Sequence, residues 1–130
     1  MKHIQVVAAI VVHENKILCV QRNENKYDYI SKKYEFPGGK MEEGESKEET
    51  IKREMLEELN LAIEVQEDFL TVTHEYPDFI ITMHSFICSC KDPSLELTEH
   101  IAFQWLPASE MGDLDWAAAD VPIVEKLMSK

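Results

Sequence analysis

The apolar run Val6-Val7-Ala8-Ala9-Ile10-Val11-Val12 constrains this chain most. With no polar residue at alternate positions, it reads as a β-strand buried on both faces, one that lies inside a sheet rather than along its edge. It is too short to span a bilayer, and no small-residue cleavage site marks it as a leader, so a cytoplasmic protein without membrane contact is expected. His13-Glu14-Asn15-Lys16 is a polar turn, and Ile17 to Gln21 is the returning strand. Asn23 to Lys33 is polar and carries two tyrosines, the composition of a loop. In Glu35-Phe36-Pro37-Gly38-Gly39 the proline removes a donor and the glycines admit positive φ, so regular structure is expected to break there.

Ser46 followed three residues later by Glu49 is a capping box and predicts a helix start. At about 100° per residue, Ile51, Met55, Leu56 and Leu59 share one side while Glu54, Glu57 and Glu58 share the other. Asn60 tolerates the left-handed conformation and ends the helix. Residues 62–72 and 79–90 read as strands around a turn at Tyr76-Pro77-Asp78, and 101–106 as a further short strand. Asp120 caps a last helix whose buried side carries Val121, Val124 and Leu127 or Met128. Strands and two unequal helices outside regular βαβ alternation point to an α+β fold with a mixed sheet. With no repeat and no linker, the 130 residues form one domain, 1–130.

Charge narrows the function. Asp plus Glu number 25 against 13 Lys plus Arg, a net charge of −12. Duplex nucleic acid needs a basic footprint and is excluded as a partner. A polyphosphate ligand survives only if metal cations bridge it to the protein. Eight glutamates fall between Glu42 and Glu58, against Lys47, Lys52 and Arg53. Glu54, Glu57 and Glu58, at i, i+3 and i+4, put like charges on one patch, which destabilises a helix unless a cation sits there. Hard divalent ions, Mg²⁺ or Mn²⁺, suit such a set, with Arg53 orienting a carboxylate; the other reading is a solvated acidic face. The Gly-Gly turn ahead of the helix lets backbone approach a phosphate or metal, favouring phosphoryl transfer or phosphoanhydride hydrolysis. Cys19, Cys88 and Cys90 form neither a CxxC pair nor an even framework and read as buried thiols. The five histidines show no metal-ligand spacing and read as structural or solvated groups.

From Gly39 through Glu45, Arg53-Glu54-Met55-Leu56-Glu57-Glu58 and Leu61, the chain resembles the signature box of the Nudix hydrolases, G-x5-E-x7-R-E-U-x-E-E-x-G-U with U aliphatic. Asn60 stands where that pattern has glycine. Ile4 to Ile10, Val20-Gln21-Arg22, Glu35 to Gly39 and Ala119 to Val124 resemble the family's MutT branch. Asp115 to Asp120 more closely resembles the CTP pyrophosphohydrolase group within it, and the overall pattern is similar to that group and to the 8-oxo-dGTP diphosphatases. The resemblance implies an α/β/α sandwich around a mixed sheet, with the box as a loop–helix–loop. It also implies Mg²⁺-dependent hydrolysis of (deoxy)nucleoside triphosphates to monophosphate and pyrophosphate, Mn²⁺ being a possible substitute.

The implied metal ligands are Glu54, Glu57, Glu58, Glu99 and the Gly38 carbonyl. Arg53 would orient them, and Glu54 or Glu99 would be the base. Glu45 would brace the loop. Arg22, Phe36, Gly38, Gly39 and Asp120 would contact substrate, with Asp120 reading the base, and Trp116 would either stack on the base or pack in the core. ADP-ribose, a dinucleoside polyphosphate or a silent nucleotide-binding module are the alternatives, and monomer and homodimer both remain open.

Overall fold

The computed structural model describes residues 1–129. The chain runs β1 (Lys2–His13), β2 (Lys16–Gln21), β3 (Tyr34–Glu35), β4 (Gly38–Lys40), α1 (Lys47–Leu59), β5 (Glu64–Glu75), β6 (Phe79–Ser89), β7 (Ala102–Leu106) and α2 (Val121–Met128). The strands form one mixed seven-stranded sheet, and α1 and α2 cover opposite faces. This is the expected α+β sandwich.

β1 is buried on both sides as its sequence requires. Val7, Ala9 and Val11 pack with Ile51, Met55 and Leu59 of α1, while Ala8 and Ile10 pack with Ile123, Val124 and Leu127 of α2. Each fully buried aliphatic side chain contributes roughly 2 kcal/mol of transfer free energy. β6 runs parallel to β1 along its whole length, from Lys2↔Phe79 to Val12↔Ser89. That pairing extends the strand well beyond the apolar run.

The opposite edge of β1 positions the site. β1 and β2 start as a hairpin through Glu14 and Asn15, both at positive φ. They then diverge, and residues 34–40 fill the gap. β3 pairs with β2 (Val20↔Glu35) and β4 with β1 (Val7↔Gly39, Ala8↔Gly38). Regular structure breaks at Phe36-Pro37, as expected, but Gly38 and Gly39 rejoin the sheet as β4. Pro37 fits because its carbonyl, which needs no N–H of its own, accepts from Ala9 N–H at 2.8 Å.

Smaller expectations also change. β5 begins at Glu64, while Leu61 and Ile63 are buried ahead of it. Leu56 lies on the exposed side of α1, and Val121 of α2 is exposed where Ile123 is buried. Cys19, Cys88 and Cys90 are buried free thiols, as expected. Among the described residues no helix is long and apolar enough to cross a membrane.

Candidate active site

The capping box forms as its spacing predicts: Ser46 Oγ accepts from Glu49 N–H at 3.1 Å and the Glu49 carboxylate accepts from Ser46 N–H at 2.9 Å. Asn60 adopts φ 50°, ψ 39° and donates its N–H to the Leu56 carbonyl, so the left-handed stop survives without glycine. The 91–100 loop then closes the helix end. Glu96 N–H reaches the Leu59 carbonyl, and Thr98 donates from both N–H and Oγ1 to the Glu58 carbonyl, at 3.2 and 2.9 Å. Those bonds deliver Glu99 and His100 to the cleft.

Arg53 organises the carboxylates. Its Nε and NH2 form a fork on Glu45 at 2.7 and 2.9 Å, NH1 bonds Glu54 at 3.0 Å and Glu57 at 3.1 Å, and NH2 also reaches the Lys40 carbonyl. Glu45 further accepts from Thr50 Oγ1 and from Glu42 N–H. The bonds from Arg53 above all hold the Glu45 carboxyl down at about 2. Because the folded pKa is depressed, this stabilisation is complete above the unfolded value of 4.5 and is lost as pH falls from there towards 2. Wild type is therefore expected to be more stable than Glu45→Gln at pH 6, the gap closing towards pH 2. Thermal melts of both proteins across that range check it.

A cleft of about 900 Å³ opens beside α1, its lining including Arg22, Glu35, Phe36, Gly38, Gly39, Glu58, Glu99, His100 and Asp120. The structure thus gathers substrate and metal candidates from five separate stretches of chain. A Cβ on Gly38 would strike the Val7 carbonyl oxygen, and one on Gly39 would lie 2.6 Å from both Glu54 carboxylate oxygens. Along the helix the three glutamates differ: Glu54 and Glu58 are 14% and 12% exposed, whereas Glu57 is 60% exposed. Burial, and then Glu54, Glu35 and Glu99, push the Glu58 carboxyl well above its ordinary value.

Two residues escaped the sequence reading. Glu35 bridges Arg22 NH1 (3.2 Å) and His100 Nε2 (2.9 Å). His100 shows no metal-ligand spacing in sequence, like the other histidines. The signal that could have found it is its place next to Glu99; Glu35 becomes visible only once β3 pairs with β2.

Asp120 corrects an expectation. It occupies the position before α2, but its backbone is helical (φ −86°, ψ −18°) and its side chain makes no capping bond. Capping needs an extended backbone at that position. The side chain, in a residue only 2% exposed, instead accepts from Phe36 N–H at 3.1 Å inside the cleft. Burial, with Glu35 nearby, raises its carboxyl well above the ordinary range. Phe36 stacks on Trp116 at 4.8 Å, and Trp116 donates Nε1–H to the Met111 carbonyl at 2.7 Å. Trp116 is thus core support beneath Phe36.

Among the described residues no three His, Cys, Asp or Glu side chains form a ready-made cation cage. A divalent cation nevertheless fits the donors here. Glu58 Oε2 is buried with no partner, and hard carboxylate oxygens dominate the surroundings.

A capped helix of paired glutamates against a glycine strand, facing a cleft with a buried aspartate at its other side, has a counterpart among known proteins. Residues 6–126 match the NUDIX domain family, and the chain belongs to it. Over 129 residues it is 34% identical to the CTP pyrophosphohydrolase of Escherichia coli (strain K12), covering 99% of this chain and 94% of that one. It is 28% identical to the 8-oxo-dGTP diphosphatase of the same strain, covering 98% of each. Its fold superposes on the solution structure of the MutT protein of the Nudix hydrolase family from methicillin-resistant Staphylococcus aureus 252. That match has TM-score 0.75 and 37% identity and covers 99% of this chain and 98% of that one.

Proposed function

We propose that this protein hydrolyses (deoxy)nucleoside triphosphates to the monophosphate and pyrophosphate, with Mg²⁺ as cofactor and Mn²⁺ as a substitute. One observation carries the reading: a single cleft joins Glu58 of α1, Glu99 and the Gly38-Gly39 strand, against which the Glu54 carboxyl packs, to Asp120, Phe36 and Arg22. Glu54, Glu57, Glu58, Glu99 and the Gly38 carbonyl would hold the cation, which supplies charge neutralisation and an activated water. Water oxygen bonds to phosphorus, the phosphoanhydride P–O bond breaks, and the water's proton passes to Glu54 or Glu99. Arg53 orients Glu54 and Glu57 through one shared guanidinium nitrogen, and Glu45 keeps Arg53 in place.

Asp120 reads the base. Its raised pKa favours the carboxylic acid, which can donate as well as accept, so both cytosine and 8-oxoguanine triphosphates suit it. Pyrophosphate release from CTP, dCTP, 5-hydroxy-dCTP, dGTP, 8-oxo-dGTP and ATP, with Mg²⁺ and with chelator, tests this. Metal-dependent turnover of cytosine or oxidised guanine nucleotides is expected, and Asp120→Ala should lower kcat/KM for the preferred one by about tenfold or more. No turnover of any triphosphate by folded protein would overturn the reading. Turnover of ADP-ribose alone would point to another diphosphate-linked substrate.

A further inference from the structure

His100 stands between two carboxylates contributed by distant parts of the chain. Its side chain is 6% exposed, and Nε2 lies 2.9 Å from Glu35 Oε2. The other oxygen of Glu35 accepts from Arg22 NH1 at 3.2 Å. On the far side of the ring, Nδ1 lies 4.0 Å from Glu58 Oε2, and both atoms are buried with no partner. A gap of that size is about 1 Å longer than a hydrogen bond, and buried polar atoms rarely stay unpaired. The backbone around the ring is pinned: Thr98 bonds the Glu58 carbonyl, and Ile101 N–H bonds the Gln21 carbonyl at 3.0 Å, beside Arg22. The chain on both sides of His100 is thus held, and the ring, bonded to Glu35, lies between the two carboxylates.

Resting on the reading of Glu58 as a cation ligand, we propose that His100 is a positioning residue. It braces the Glu58 carboxylate for the cation and, through Glu35, couples it to Arg22 on the substrate side. A rigid imidazole suits this task because its two nitrogens face opposite ways, Nε2 against Glu35 and Nδ1 turned towards Glu58. Groups that hold a ligating carboxylate commonly set metal affinity without touching the metal.

Side-chain amides separate the two contacts. The Asn amide falls where Nδ1 lies and keeps the Glu58 side, whereas the longer Gln reaches the Nε2 position and keeps the Glu35 side. Mn²⁺ affinity, read by electron paramagnetic resonance, and nucleotide KM are measured for wild type, His100→Ala, His100→Asn and His100→Gln. His100→Ala should weaken Mn²⁺ binding about tenfold or more. His100→Asn should stay within about threefold of wild type for Mn²⁺ but raise nucleotide KM, with His100→Gln showing the reverse. Wild-type Mn²⁺ binding and turnover with all three variants unchanged would overturn this inference alone. So would an equal loss in all three that tracks a large fall in melting temperature. Wild type that neither binds Mn²⁺ nor hydrolyses a triphosphate would overturn both this inference and the functional reading.

Discussion

Glu58→Gln is expected to cut triphosphate turnover by about 100-fold or more while leaving the metal-free protein more stable than wild type. The two effects have one origin. In the folded chain without cation, Glu58 is buried beside Glu54, with Glu35 and Glu99 adding to the negative field, and its carboxyl pKa is raised. A carboxyl whose folded pKa lies above its unfolded value of 4.5 supports folding fully below that value. The support is lost as pH rises towards the folded pKa, because the charged form is then disfavoured only in the native state. Gln carries no charge and escapes this loss, so in chelator its advantage over wild type should grow from pH 5 to pH 8. The same neutrality removes the negative oxygen donor that a divalent cation requires. Melting curves in chelator and pyrophosphate release with Mg²⁺ read the two halves separately. Activity within threefold of wild type would sink the assignment of Glu58, whatever the stability.

The neighbouring glycines should fail in different ways when replaced by alanine. Gly38→Ala is expected to destabilise the fold by about 3 kcal/mol or more. The added Cβ would collide with the Val7 carbonyl oxygen and the Ala8 Cα, both backbone atoms of β1. β1 has no room to retreat, because β6 is paired along its other edge. Gly39→Ala meets only the carboxyl end of Glu54, a side chain that can rotate away. It should fold with little change in melting temperature yet lose about 10- to 100-fold in turnover, since the displaced carboxylate leaves Arg53. Denaturant melts and kinetics on both variants check the contrast. Equal behaviour of the two would show that neither contact matters as drawn.

Much of this was legible in one dimension because its causes are local. A capping box spans three residues, an i, i+3, i+4 carboxylate patch spans four, and an unbroken apolar run announces a strand covered on both faces. Ser46, Asn60, Arg53 with its glutamates, and β1 all formed accordingly. Glu45 bonding Arg53 across eight residues was also within reach, since only the cap and the first two turns of α1 separate them.

What the tertiary structure alone decided depends on strand pairing and burial across long separations. Residues 34–40 wedge between β1 and β2, which returns the chain to the sheet on either side of the break at Phe36-Pro37 and aims Glu35 at both Arg22 and His100, 65 residues away from the latter. Asp120 abandoned the capping role its position suggested because the α2 face of the sheet buried it against Phe36 N–H, 84 residues distant. Leu56 and Val121 are exposed although helical periodicity puts them with the core residues, because periodicity places a residue on a side of a helix without saying how far the neighbouring layer reaches. Sequence determined which side chains are the candidates for the chemistry and which elements hold most of them. Packing of the sheet decided which carboxylates lost their water, and so which are raised in pKa and left with an unpaired buried oxygen.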